Sequence, residues 1–284
     1  MSIQERAMLV QLTMGGFSGR RTARDIAREA AESHGADESA LEASLRLIPA
    51  SELKGIEQAS RACREYFDKK TLPWQRRGAS LLPCKLYFDF SSALGSLLQA
   101  RQAEVDCFMI RYEHNAVAWV HRLNGLAQGH ILPTADIVRD RFEATVQFWP
   151  FPSGGDFRVD LEEDELAKLR ESADMAANLR VEEAVKDAVN RLRQVVQRYA
   201  QNLGRTETGR ARRLTESMEI DLREIVDIIP AFNLNGNPEL DAITEECSKL
   251  LNSPIDTLRE DEGERSRVQA EAERIYEKMK GIWG

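Results

Sequence analysis

The sequence predicts a mainly α protein of the α+β kind, in which long helices, one pair of them a coiled-coil hairpin, accompany a few short N-terminal β-strands. Three observations carry that prediction. Apolar residues recur at three- and four-residue steps across two stretches of about forty residues each. Short β-prone runs occur only in the first 151 residues. Gly and Pro stops such as Gly15 and Gly16, Pro49, and Pro150, Pro152, Gly154 and Gly155 separate the elements.

In chain order, Met8 to Met14 reads MLVQLTM, a strand stopped by Gly15 and Gly16 and followed by a polar helix from Thr22 to His34. A second short run, Leu45 to Ile48, ends at Pro49. Ser51 then stands where a helix cap is expected, before the stripe Leu53, Ile56, Ala59 and Tyr66. The first long helix is predicted over about 86–123, where Phe90, Leu94, Leu97, Leu98, Val105, Phe108, Tyr112, Trp119 and Leu123 recur at three- and four-residue steps. TVQFWPF, from Thr145 to Phe151, returns to a strand pattern, and Pro150, Pro152, Gly154 and Gly155 mark the expected internal boundary. That boundary divides the chain into a mixed α/β part, 1–155, and an all-helical part, 156–284.

The second part opens with a long helix over about 162–203, where Val185, Val189, Leu192, Val196, Tyr199 and Leu203 follow the alternating steps of a coiled-coil seam, broken upstream by Asn178 and Glu182. A turn at Gly204 to Gly209 and a return helix from Thr215 to Ile229, ended by Pro230, complete a hairpin spanning about 162–229. Asn237 with Pro238 starts a further helix through Leu251, and Ser253 with Pro254 repeats that device. The last helix is predicted from Glu262 to Trp283.

Composition excludes several classes. With 42% hydrophobic residues the chain can bury a core, so it is not a disordered tail. Forty-seven acids against 39 bases, a net charge of -8, leave no whole-chain field that would attract nucleic acid. Cys63, Cys84, Cys107 and Cys247 are far apart and form no CxxC pair, which favours a reducing cytoplasm over a disulfide framework or a zinc site. No leader is expected from the N-terminal residues, and no window reaches the roughly 18 apolar residues of a spanning helix.

Candidate chemical motifs fail on their residues. GGFSGRRT follows a strand as a phosphate-binding loop would, but Met14 stands where the first glycine belongs and arginines follow Gly19. Cys107, His114 and His121 share a helix face, yet seven residues of helix rise about 10.5 Å, too far for one metal ion. His34 and His130 are isolated, and no HExxH occurs. Asp160 and Glu162 to Glu165 suit the positive end of a helix dipole. Phe148, Trp149 and Phe151 read as a packing wedge, because no basic residue is interleaved with them. No catalytic residue, metal or cofactor is expected.

One local feature stands out. From Lys186 to Arg213 eight bases face only Asp187 and Glu207, and five of the arginines, Arg198, Arg205, Arg210, Arg212 and Arg213, fall at the predicted hairpin tip. Arginine forks bind carboxylates and phosphates alike, so the tip is read as a contact for a protein partner or, alternatively, for nucleic acid. A smaller basic stretch, Arg20, Arg21, Arg24 and Arg28, is diluted by Asp25 and Glu29.

TLPW at Thr71 to Trp74, GASLLPCKLYFDF at Gly78 to Phe90, FPSGGDFRVDL at Phe151 to Leu161 and NLNGNPEL at Asn233 to Leu240 form an ordered set. In that order and spacing the chain resembles an uncharacterised family encoded in bacteriophages and prophages. The resemblance covers the chain from the first strand to about Leu251 and implies a phage protein in the cytoplasm of a bacterial host. Genes of that family lie near those of a MoxR-type AAA+ ATPase and a von Willebrand A-type protein, which implies an adaptor or substrate of a remodelling machine. It carries over no activity and no functional residue. The expectation is therefore a non-enzymatic interaction protein that engages an AAA+ ATPase or a host protein through the hairpin, without a membrane. A nucleic-acid-binding protein of the DNA-protection or recombination type is the alternative. Whether the seam is covered within the chain or by a second copy is left open by the sequence.

Overall fold

A computed structural model describes residues 3–74, 78–127, 132–153, 162–206, 208 and 210–284. Gly154, Gly155, Asp160, His130, Glu207 and Gly209, and most of the FPSGGDFRVDL string, lie outside the described residues. The protein is mainly α, with a few short antiparallel strands. In chain order the elements are α1 (Ile3–Arg6), β1 (Ala7–Met14), β2 (Arg20–Thr22), α2 (Arg24–His34), β3 (Ser44–Arg46), α3 (Ala50–Lys70), β4 (Leu72–Pro73) and β5 (Ser80–Pro83). There follow α4 (Tyr87–His121), α5 (Ala135–Asp140), β6 (Ala144–Pro150), α6 (Glu163–Leu203), α7 (Glu216–Phe232), α8 (Pro238–Leu250), α9 (Ile255–Glu260) and α10 (Glu262–Trp283). β4, β5, β1 and β6 form one sheet in that order, with Ala7 opposite Pro83 and Val10 opposite Ser80.

Contacts divide the chain into two compact units, differently from the single cut after residue 155 that the sequence suggests. One unit comprises Met1–Gln11, Lys70–Phe88 and Phe148–Gly284, and the other Leu12–Lys69 and Asp89–Gln147. The reason lies in the first strands: Ala7, Leu72, Trp74 and Leu81 bury their side chains in the same core as Val185, Leu192 and Val196 of α6.

In the first unit α6 is the backbone of the core. Every predicted seam residue from Val185 to Leu203 is buried, and burial continues upstream through Ala184, Val181 and Ala177, beyond the break expected at Glu182 and Asn178. The charged residues there lie on the opposite face, so the stripe passes them by. Both α7 and α10 pack on α6. α10 runs back along it: Arg265, in its first turn, bonds to the Leu203 carbonyl, and Gly284, past its last, accepts from Arg193. The seam is thus covered within the chain by two helices rather than by a simple hairpin. Pro230 lies inside α7, which continues to Phe232, because a proline near a C-terminus forfeits one hydrogen bond and Asn233 N–H still reaches Ile229. Asn237 caps α8 as expected, accepting from Glu239 N–H, with Pro238 in the first turn. Ser253 is no cap; its hydroxyl donates to Glu264, and Asp261 caps α10.

The second unit is built on α3 and α4. α3 begins at Ala50, so Ser51 sits within its first turn instead of capping it, and its buried stripe is Leu53, Ile56, Ser60, Cys63 and Phe67. α4 brings Val105, Phe108, Met109, Tyr112 and Trp119 to a core shared with Ile48, Leu53, Ile56 and Phe142. Phe108 meets the edge of Phe142 at 5.7 Å and stacks on Trp119 at 6.4 Å. Arg101, only 1% exposed, ties this unit together: it donates to Ser60 Oγ on α3, to the Phe142 carbonyl and to the Gly15 carbonyl, at 2.7 to 2.9 Å. Gly15 is required there, since a Cβ would collide with the Arg141 carbonyl. No helix of the described residues is long and apolar enough to cross a membrane.

Candidate functional site at the end of α6

The connector between α6 and α7 is held as a narrow clasp. Arg205 and Ala211 form an antiparallel bridge, Thr206 N–H donates to the Arg210 carbonyl at 2.8 Å, and Arg212 N–H reaches Gly204 at 3.3 Å. Arg210 N–H also donates to Thr206 Oγ1. These bonds fix the backbone that carries Arg210, Arg212 and Arg213, whose side chains are exposed and make no hydrogen bond or ion pair with the described residues.

Beneath the clasp lies Arg265, 6% exposed. Its guanidinium donates to the carbonyls of Leu203 at 2.6 Å, Arg212 at 2.9 Å, and Asn202 and Gly204 at 3.3 Å. It thereby satisfies carbonyls that the end of α6 would otherwise leave orphaned, and it places a cation at the negative end of that helix dipole. Arg259 bonds to the Leu214 carbonyl and pairs with Asp256. Arg212, Arg213, Arg259, Arg265 and Leu214 together line a recess of about 470 Å³, and no acid among the described residues lines it.

The sequence-predicted residues are only partly brought together. Arg212 and Arg213 line the recess, and Arg210 stands on the same clasp. Arg205 is drawn away to Glu262 at 2.8 Å. Arg198 lines a separate recess of about 160 Å³ with Tyr199, Asn202 and Asp221. There burial, and then Glu219, push the Tyr199 phenol up to about 12, so it stays neutral. Two further bases of the run are structural: Arg191 pairs with Asp187 and donates to the Thr71 carbonyl, and Arg193 bonds to Gly284 and Asn190. Arg259 and Arg265 were invisible to sequence reasoning, because they reach the site from helices more than forty residues onward and only the return of α10 along α6 brings them there.

Chemically the recess can bind and orient an anion. Among the described residues no cluster of three or more His, Cys, Asp or Glu is arranged to hold a metal ion. No family model, curated protein or solved structure matches this chain.

Proposed function

We propose that this is a non-enzymatic interaction protein that grips an acidic surface or segment of a protein partner with the arginine-lined end of α6. The observation that carries the reading is the set of exposed guanidiniums of Arg210, Arg212 and Arg213, unpaired among the described residues, on a hydrogen-bonded clasp over a recess lined by Arg259 and Arg265. Positive charge concentrated in a chain of net charge -8 steers an acidic partner to one place. Following the phage-family resemblance, the partner is an AAA+ ATPase or a host protein in the bacterial cytoplasm. The same net charge argues against a long nucleic-acid track, which needs a basic face rather than a basic point.

The test is fluorescence anisotropy of a labelled Asp/Glu-rich peptide, and separately of single- and double-stranded DNA, with the wild type and with R210A/R212A/R213A. Saturable peptide binding that the triple variant loses supports the proposal. DNA binding with a log-log salt slope of about -3, as three neutralised phosphates give, would transfer the site to nucleic acid. Equal binding by variant and wild type would overturn both.

A further inference from the structure

We infer that the second unit carries a binding groove for a small organic anion, a carboxylate or phosphate attached to an apolar body, between the Gly15–Ser18 loop and α3. The groove, about 630 Å³, is of the size that holds such a ligand, and it is distinct from the arginine recess at the end of α6.

The argument begins behind its floor. Arg101 is buried, and each of its three hydrogen bonds goes to a neutral acceptor. Among the described residues no carboxylate pairs with it, and burial pushes the neighbouring Cys63 thiol up, which keeps that thiol neutral too. Buried cations are ordinarily paired, because an isolated one loses hydration without recompense. Here the three residues that accept from Arg101, namely Gly15, Ser60 and Phe142, all line the groove, so the unneutralised charge lies directly behind its wall.

The rim places three arginines and three acids around the groove, so its net charge is zero and its arginines act as local contacts for an anion. Arg61 and Arg64 stand one turn apart on α3, exposed and without a hydrogen bond or ion pair to the described residues, and Arg141 faces them across the groove, 5.4 Å above the Phe17 ring. Phe17, Leu53 and Ile56 supply the apolar wall. Glu57, Glu65 and Asp68 also lie on α3 at the rim, and they favour a ligand with hydrogen-bond donors beside its anionic group over a bare anion. The glycine loop does not wrap a phosphate: Gly15 N–H is taken by the Glu143 carbonyl. Binding rests on the guanidiniums, as P-loop chemistry does not.

Isothermal titration calorimetry of the full chain with phenyl phosphate and with benzoate tests the inference, using benzyl alcohol and inorganic phosphate as controls. One-to-one binding of at least one aromatic anion is expected, at least tenfold tighter than benzyl alcohol and than inorganic phosphate; which anion binds distinguishes phosphate from carboxylate ligands. In R61A/R64A/R141A, whose exposed positions leave the fold intact by circular dichroism, that affinity falls at least tenfold. R210A/R212A/R213A binds as the wild type does. Absence of binding by both anions, equal binding of benzyl alcohol, or unchanged affinity in the rim variant overturns the inference.

Discussion

Arg265 illustrates how one side chain can serve both stability and recognition. Its four carbonyl acceptors come from the end of α6 and from the clasp, so replacing it leaves buried oxygens unsatisfied as well as removing charge. R265A is expected to destabilise the protein by about 2–4 kcal/mol in urea unfolding, whereas R212A/R213A, at exposed positions with no ion pair to the described residues, changes stability by roughly 0.5 kcal/mol or less. Nothing in the local sequence separates these arginines: Arg265 sits in a run, GERSRV, that reads as a solvated first turn. Arg212 and Arg213 were legible because they share a charge-dense segment, while Arg101 was hidden in an apolar stripe where a cation is not sought. Residue-level meaning here depended on tertiary neighbours that spacing does not encode.

At the scale of elements, periodicity was a good guide and punctuation a poor one. α4, α6 and α10 lie within a residue or two of their predicted ranges, because a stripe repeated over many turns averages out local exceptions. Ser51, Pro230 and Ser253 misled, since each signal concerns one residue and a competing bond or a single lost bond outweighs it. β4 and β5 are too short to show a period of two and were not read at all. The stripe of α6 also makes a graded prediction. Leu192 is fully buried whereas Leu169 is 38% exposed in the same helix. L192A is expected to lower stability by about 2–5 kcal/mol and L169A by less than about 1 kcal/mol, measured by the midpoint of chemical unfolding.

At the scale of the whole molecule, the sequence suggested two consecutive parts, but contacts assemble one unit from three segments and the other from two. Compositional boundaries mark where a chain turns, not where its core is completed, and Leu72, Trp74 and Leu81 belong with helices that follow some ninety residues later. A fragment of residues 156–284 would therefore expose apolar surface on α6. It is expected to bind the dye ANS and to unfold with a lower denaturant slope than the intact chain, while a well-packed fragment with no dye binding would contradict the division.

The fourfold crossing of the chain between its units imposes an order of events during synthesis. The two segments of the Leu12–Gln147 unit have both been translated once residue 147 leaves the ribosome. The other unit holds residues 1–11 yet waits for α10, which follows all its other helices, before its central seam is covered. At about 5–20 residues per second, the 272 residues from Leu12 to Trp283, the end of α10, take roughly 14–54 s to synthesise. For that interval β1 can pair with β5 but has no finished helical core to pack on, which makes the nascent chain a natural client for chaperones that cover exposed apolar surface.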